Sequence, residues 1–425
     1  MSRILVIGGS LGGLLAANVL LRQGHDVCVL EKIRGSMDGR GAGIVTHDAL
    51  FAGLQRAGLN IDESLGVPVR QRVALNAEGR TEVCIDMPQV LTSWSRLYDL
   101  LHQLLPAERY VQGVTVQRIE QHAGGAVVHG LGAEGAQSWP ADLVIASDGI
   151  RSAVRQQLAP QVEPRYAGYV AWRGVCDEAV LSERTLKSVF ETFGFGLPAG
   201  EQLIGYPVAG PGNDTRPGHR AYNFVWYRPA AGDTLTRLLT DADGVIHQGG
   251  ISPNKVDWRQ VADMRQAARA LLAPQFAEMI EKTAQPFLQP IYDLSSERIA
   301  FDRVALMGDA SFVARPHIGM GVTKAAQDAV ALADAISQYG ATPQALLAYE
   351  KQRVPECEAA VARARWLGAY MQSQTQSSGA HAPARSALEV VAETAIDMDR
   401  YGHQSSFLGA AAYRSYDVPV ALTVH

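Results

Sequence analysis

The order of apolar and polar positions changes rhythm along the chain. Ile4-Leu5-Val6-Ile7 is a continuous apolar run, the pattern of a strand buried on both faces of a parallel sheet. A glycine-rich turn, Gly8-Gly9-Ser10-Leu11-Gly12-Gly13, follows. Apolar positions from about Leu14 to Gln23 then predict a helix, with Gly24 placed to cap its C-terminus. Asp26 to Leu30 predicts a second short strand, closed by Glu31. Strand, glycine turn, helix, strand and acid in this order make a βαβ unit suited to an adenine dinucleotide. Helix N–H groups face the pyrophosphate and the carboxylate takes the ribose hydroxyls. The fingerprint G-x-G-x-x-G expects glycine where Ser10 stands, so an ordinary glycine-containing α/β turn is the plain alternative.

Two later segments share this design. Leu143-Val144-Ile145-Ala146 runs into Ser147-Asp148-Gly149, and a short helix follows with Arg151 and Arg155 four apart on one face. A common turn followed by solvated arginines is the competing account. Val304 to Met307 feeds Gly308-Asp309-Ala310, and Pro316-His317-Ile318-Gly319-Met320-Gly321 opens an alanine-rich helix through Lys324, Asp328, Leu332 and Ile336, stopped by Gly340. Such a helix start can hold an anion or a polarised carbonyl oxygen, or be a plain cap.

Between about 166 and 295 the rhythm becomes that of an antiparallel sheet. Tyr169 to Val175, Gln202 to Val208 and Ala221 to Tyr227 are rich in β-branched and aromatic residues and are separated by glycine and proline turns. Alternation puts Tyr222, Phe224 and Trp226 on one face, either as the sheet's own core or as flat walls of a cavity. Tyr206-Pro207 and Phe193 to Phe195 are further candidates for such walls.

Composition narrows the classes. A chain of 425 residues with 47% apolar content supports two or three domains with sizeable cores. A net charge of −5 and a pI near 6.1 give no electrostatic case for nucleic acid or an anionic membrane. Cys28, Cys84, Cys176 and Cys357 fit no zinc or disulfide spacing and read as thiols of a reducing compartment. The first strand begins at residue 3, which leaves no room for a signal peptide, and no uncharged apolar run reaches bilayer length. A cytoplasmic protein is expected. Gln372 to Arg385 has the composition of a linker, and Ser386 to His425 is open to wrapping back or extending an interface.

In this order the three glycine-bearing segments resemble the single-component FAD-dependent aromatic hydroxylases, the para-hydroxybenzoate hydroxylase family. Gly8-Gly9-Ser10, the run Ala167 to Val175 and Arg315-Pro316-His317 are most similar to its hydroxypyridine-hydroxylating members. The resemblance covers roughly residues 1 to 370. It implies an α/β fold: a discontinuous FAD-binding βαβ (Rossmann-like) domain, 1–165 plus 296–370, with an antiparallel-sheet substrate domain, 166–295, and a tail, 371–425. It also implies that Gly8, Ser10, Leu11, Gly13, Glu31 and Lys32 hold the ADP half of FAD. Asp148 and Gly149 are implied near the pyrophosphate with a link to NAD(P)H use, and Asp309 on the ribityl chain. Pro316, Gly319 and Gly321 would lie against the isoalloxazine ring. Gly39-Arg40-Gly41-Ala42-Gly43-Ile44 matches the loop over the flavin, with Arg40, Gly43 and Ile44 as contacts. Three positions depart from the family pattern: Ser10, Phe312 in place of a frequent histidine, and Trp94 in place of an arginine that Arg96 replaces only after a register shift.

The implied reaction is insertion of one atom of O2 into an aromatic or N-heteroaromatic ring through a flavin C4a-hydroperoxide, after reduction by NADH or NADPH. No second glycine fingerprint is present, so NAD(P)H is expected as a transient co-substrate while the flavin moves. His317 leads the candidates for substrate contact, against a structural histidine bonded to backbone. His47 is second, and Tyr206 and Tyr222 are possible hydrogen-bond donors to a ring oxygen. Expected partners are a small aromatic or heteroaromatic substrate, O2 and NAD(P)H, with no nucleic acid, no membrane and no metal; a homodimer is compatible. A flavin monooxygenase for an alkene or ketone, or a non-catalytic flavin-binding regulator, is the alternative. The sequence leaves open the substrate, NADH versus NADPH and the oligomeric state.

Overall fold

The structure is a computed structural model that describes residues 1–35, 37, 43–230, 232–372 and 385–396. Arg40, with Gly39, Gly41 and Ala42 of its loop, lies outside the described residues, as do 373–384 and 397–425 of the expected tail.

The chain opens with the expected unit: β1 (Arg3–Ile7), α1 (Leu11–Arg22) and β2 (Asp26–Glu31). Ile4, Val6, Leu14 and Leu15 are buried on both sides of the sheet–helix seam, which is why the apolar runs have no alternation. Gly24 takes φ +85° just beyond α1, a left-handed conformation that glycine adopts without a Cβ penalty. Next come β3 (Gly43–Val45), α2 (Asp48–Ala57), β4 (Val67–Leu75), β5 (Thr81–Ser93), α3 (Trp94–Leu104) and β6 (Tyr110–Gln112). A meander of β7 (Thr115–His122), β8 (Gly125–Gly132) and β9 (Gly135–Ala141) leads into β10 (Leu143–Ala146) and α4 (Ala153–Leu158).

The middle region holds β11 (Arg165–Asp177), a short α5 (Glu183–Thr185), β12 (Phe193–Gly196), β13 (Gln202–Val208), β14 (Ala221–Pro229) and α6 (Asp233–Leu238). It closes with α7 (Trp258–Leu271), α8 (Pro274–Lys282) and β15 (Phe287–Asp293). The chain returns through β16 (Ala300–Phe301) and β17 (Val304–Leu306) to α9 (Gly321–Tyr339), α10 (Pro343–Gly368) and α11 (Ala387–Glu393).

One sheet of six strands runs β16-β17-β10-β1-β2-β6. Its β17, β10, β1, β2 and β6 pairings are parallel. A second sheet of eight strands runs β15-β11-β14-β13-β12-β4-β5-β3. Strands from residues 43–93 therefore complete the sheet begun by 165–293, and β12 joins β4 in parallel. The two faces of this sheet bury different cores. Trp172, Tyr222, Phe224 and Trp226 pack with Met264, Phe276 and Met279 of the helices α7 and α8. Tyr169, Ala171, Tyr206, Val225 and Tyr227 face the other way and pack with Met371, Val391 and Ala395. Among the described residues no helix is long and apolar enough to cross a membrane.

Candidate functional site

The parallel register brings the three glycine-bearing segments to one edge. Ile7 is level with Leu30 on β2 and with Ala146 on β10, and Ala146 is level with Leu306 on β17. Gly8, Glu31, Asp148 and Gly308 therefore leave the carboxyl ends of neighbouring strands, where open α/β sheets bind ligands. Gly8 has φ +98°, and a Cβ there would stand 2.3 Å from the Ser147 carbonyl oxygen. A Cβ on Gly13 would lie 1.9 Å from the Gly8 carbonyl oxygen, so this helix approaches its strand only with glycine. Ser10 precedes α1 without capping it through its side chain, and no acid stands in the first turn; the helix start keeps its partial positive charge. Leu11 points into the core and offers only backbone. Glu31 accepts hydrogen bonds from the Gly9 N–H (2.7 Å) and the Ile33 N–H (2.8 Å), while Lys32 beside it is exposed.

Asp148 uses Oδ2 to accept the Ala153 N–H (2.9 Å), and its Oδ1 is buried without a partner. An acceptor left this way costs about 1–3 kcal/mol unless a ligand satisfies it. Gly149 has φ +81° and open space where a Cβ would stand. Arg155 is 1% exposed and donates to the carbonyls of Ile150 (2.6 Å) and Ala310 (3.0 Å). It joins the second segment to the third. The solvated role fits only Arg151, which is exposed and reaches the Gln248 carbonyl.

The third segment is held from below. Lys324 Nζ donates to the Gly308 carbonyl (2.8 Å), and Asp328 accepts the Gly308 N–H (3.0 Å) while pairing with Arg353 (2.7 Å). Asp309 is exposed, yet protein surrounds it so closely that desolvation holds its carboxyl above the usual range, against the attraction of Lys324. The carboxyl thus meets solvent while protein crowds it from the other side. Gly319 turns the chain at φ +64°, and at Gly321, where α9 begins, a Cβ would meet open space. Its helix start carries neither acid nor side-chain cap.

The aromatic sheet face adjoins this crevice through β3. The Gly43 N–H donates to Asn223 Oδ1 (3.0 Å), and a Cβ on Gly43 would stand 2.4 Å from the Tyr206 ring. Ile44, next along, is half-buried. Tyr206 is buried, and its phenol is raised by that burial. Tyr222 lies on the opposite face: it packs on Phe190, its ring centroid 5.5 Å away, in the core beside α8. Tyr206 is level with Asn223, one position on from Tyr222, so alternation turns Tyr222 to the sheet's own core and leaves Tyr206 on the face that Gly43 touches. Phe224 and Trp226 follow it.

His317 is 0% exposed. Its Nε2 meets the Tyr169 hydroxyl (2.8 Å) and its Nδ1 meets Gln202 Oε1 (3.0 Å). Because an amide oxygen only accepts, Nδ1 carries the proton and Nε2 accepts from the tyrosine. Burial, helped by Arg315, pushes its pKa well below the ordinary value, so the ring is neutral. His47 reaches Thr323 Oγ1 through Nδ1 (2.9 Å), tying the start of α2 to α9.

Several residues here carry no sequence signal of their own. Arg72, 0% exposed, donates to the carbonyls of Val391 (2.9 Å), Thr394 and Ala395 (3.0 Å) and to Gln89 Oε1 (2.6 Å). This buried guanidinium gathers the C-terminal carbonyls of α11, a favourable place for a cation. Ala395, at φ +52°, donates its N–H to the His317 carbonyl (2.7 Å) and packs on Gly319, where a Cβ would stand 2.8 Å from its own. Residues 385–396 thus wrap back onto the site face. Ser386 and Glu389 form a capping box, the one local signal that marks this helix in the sequence.

Known proteins resemble this chain along most of its length. A family model described as FAD binding domain-like matches residues 166–293. The chain is 30% identical over 372 residues to 2,6-dihydroxypyridine 3-monooxygenase of Paenarthrobacter nicotinovorans, across 87% of this chain and 91% of that protein. It is 31% identical to FAD-dependent urate hydroxylase of Klebsiella oxytoca, across 85% and 88%. Among solved structures, 2,6-dihydroxypyridine-3-hydroxylase from Arthrobacter nicotinovorans superposes with a TM-score of 0.80 at 29% identity, over 90% of this chain and 95% of that one. A Klebsiella pneumoniae HpxO variant complexed with FAD gives 0.71 at 25% identity, over 88% and 90%. With a crevice of dinucleotide-binding design beside an aromatic sheet face, and likeness along nearly its whole length, the chain belongs to the FAD-dependent aromatic hydroxylases, the monooxygenases of the para-hydroxybenzoate hydroxylase fold.

Proposed function

We propose that this chain hydroxylates a small aromatic or N-heteroaromatic ring, a hydroxypyridine foremost, using FAD, O2 and NADH or NADPH. The observation that carries the reading is the meeting of two surfaces: the strand-end crevice of Gly8, Glu31, Asp148 and Asp309, and the tyrosine-bearing sheet face that Gly43 touches.

The residues present fit FAD. The unpartnered Asp148 Oδ1, the wet but enclosed Asp309, the open space at Gly149 and Gly321 and the uncapped starts of α1 and α9 are what a bound dinucleotide would use. In this reading Glu31, with Lys32 beside it, holds the adenosine ribose. Gly8, Ser10, Leu11 and Gly13 offer backbone to the pyrophosphate, and Asp148 and Gly149 stand near it. Asp309 takes the ribityl chain. Pro316, Gly319 and Gly321 lie along the flavin ring, with Gly43 and Ile44 over it. When bound, FAD supplies electron transfer from NAD(P)H and activation of O2 for transfer of one oxygen atom to the ring.

The protein's own part is to orient the ring and exclude water. Tyr206 and Asn223 border the sheet side, and the wrapped segment 385–396 seals the flank at Gly319. Neutral His317 steadies this wall through Tyr169 and Gln202; direct substrate contact would first break one of these bonds. We assign 1–165 plus 296–370 to cofactor binding and 166–295 to the substrate, with β3, β4 and β5 completing the substrate sheet. The partners are small molecules, with a second copy of the chain compatible and neither nucleic acid nor membrane required.

The test is purification followed by oxygen-electrode assay. A yellow protein that consumes O2 and NAD(P)H faster with 2,6-dihydroxypyridine or a related phenol, and yields a product heavier by one oxygen, is expected. A protein that takes up no FAD, or whose NAD(P)H oxidation ignores every ring compound, overturns the reading.

A further inference from the structure

The aromatic-hydroxylase reading, on which this inference rests, leaves open what charge the ring carries when it binds. Arg173 sits in the middle of β11 on the face of Tyr169 and Ala171. It is level with Val225 on β14, whose neighbours on that face are Asn223 and Tyr227. On β13, Tyr206 is level with Asn223. Among the described residues no carboxylate pairs with Arg173, and its Nε is buried without a hydrogen-bond partner. Arg173 is half-buried, and several buried guanidinium groups elsewhere are answered by carboxylates: Arg315 by Asp293, Arg353 by Asp328, Arg220 by Glu178 and Glu191.

Two more polar groups stand on the same face, one of them, the Tyr227 phenol, beside the Arg173 side chain. The Tyr227 hydroxyl and Asn223 Nδ2 lack partners although both residues are 0% exposed, while Asn223 Oδ1 is already spent on the Gly43 N–H. The charge of Arg173 reaches both the Tyr206 and the Tyr227 phenols and works against their burial. Solvent reaches this face from its β15 edge, where Gln289 is exposed level with Ala171, and Val175 is 42% exposed. The phenol oxygen is the one acceptor this trio offers, and it lies within the reach of Arg173. With no carboxylate beside them, a guanidinium, a phenol O–H and an amide N–H2 are costly to keep together unless a ligand brings further acceptor oxygens and negative charge.

We propose that Arg173, assisted by Tyr227 and Asn223, holds an anionic oxygen of the flat ring substrate and so selects anionic rings over neutral ones of the same shape. The oxygen belongs either to a deprotonated ring hydroxyl or to a ring carboxylate.

Calorimetric titration of the FAD-loaded full chain separates these sources with two matched pairs: 2,6-dihydroxypyridine against 2,6-dimethoxypyridine, and benzoate against benzamide. In at least one pair the anion-forming member should bind about tenfold tighter or better than its neutral partner, and Arg173→Gln should remove that advantage while leaving the neutral partner within about twofold. Arg173→Lys, which keeps the charge and loses the planar fork, should recover part of it. The pair that responds identifies the oxygen. Flavin content and Tm of the variants exclude a folding effect. Should Arg173→Gln lose its flavin, Tyr227→Phe keeps the ring's packing and should still weaken the same anion by about threefold or more. Anion binding that ignores both substitutions, or equal losses for both members of a pair, overturns this proposal alone. Failure of every ring compound to bind the FAD-loaded protein overturns it together with the functional reading.

Discussion

At the scale of single residues, one carboxylate and one histidine show how placement sets behaviour. Asp309 keeps a carboxyl in a walled crevice, where desolvation raises it. A raised acid favours the folded state while protonated, so that contribution is present at low pH and is lost as pH rises through the folded value. Asp309→Asn should therefore stabilise the FAD-free protein more at neutral pH than at acid pH, by urea titration. Asp309→Ala should weaken FAD retention by about tenfold or more, as a ribityl hydroxyl loses a charged acceptor; unchanged affinity on reconstitution of the apoprotein would reject that assignment. His317 has the opposite sign. Its folded pKa is depressed below 6.5, so the unfolded chain gains a proton that the folded ring refuses, and stability falls as pH drops beneath that value. His317→Gln should flatten this acid-side loss relative to wild type. The motif glycines and acids were legible in the sequence because each serves a local turn. Arg72, Arg173 and Asn223 were not, since their meaning lies in strands that meet only after folding.

At the scale of elements, period decides which residues share a face but not which face meets the site. Tyr222, Phe224 and Trp226 do lie together, yet against α7 and α8; the odd-numbered residues of β14 face the crevice side. Nothing in the pattern distinguishes these outcomes, because both faces are apolar and both are covered. The segment 385–396 was equally hidden: its capping box predicts a helix, and its docking depends on a guanidinium more than 300 positions earlier. Arg72→Met should leave the carbonyls of Val391, Thr394 and Ala395 without a donor and cost about 2–4 kcal/mol. Limited proteolysis should then cut within 385–396 before the sheets, and a larger share of the NAD(P)H and O2 consumed should end as H2O2 in place of hydroxylated product. A cleavage pattern and coupling ratio equal to wild type would refute the wall described for this segment.

At the scale of the whole molecule, the parallel sheet and its three strand-end turns were readable from the chain, since buried parallel strands announce themselves as unbroken apolar runs. The larger sheet was readable only in part. Strands β4 and β5 reach it across about a hundred residues, and the parallel β4–β12 pairing leaves no local trace. The two faces of that sheet back onto separate cores, so damage to one should spare the other. Trp226→Ala should destabilise by about 3–5 kcal/mol, seen as a lower Tm, while FAD affinity measured below the transition stays near wild type. Weakened FAD binding in the folded variant would show that the cores are coupled.

The order of synthesis gives the Arg72 anchorage a further meaning. Helix α11 emerges from the ribosome after every strand it covers. Until it arrives, a guanidinium destined for the interior has none of the three carbonyls that will receive it. That flank of the nascent protein is thus sealed late, and docking of one helix converts a hydrated charge into a locked interior.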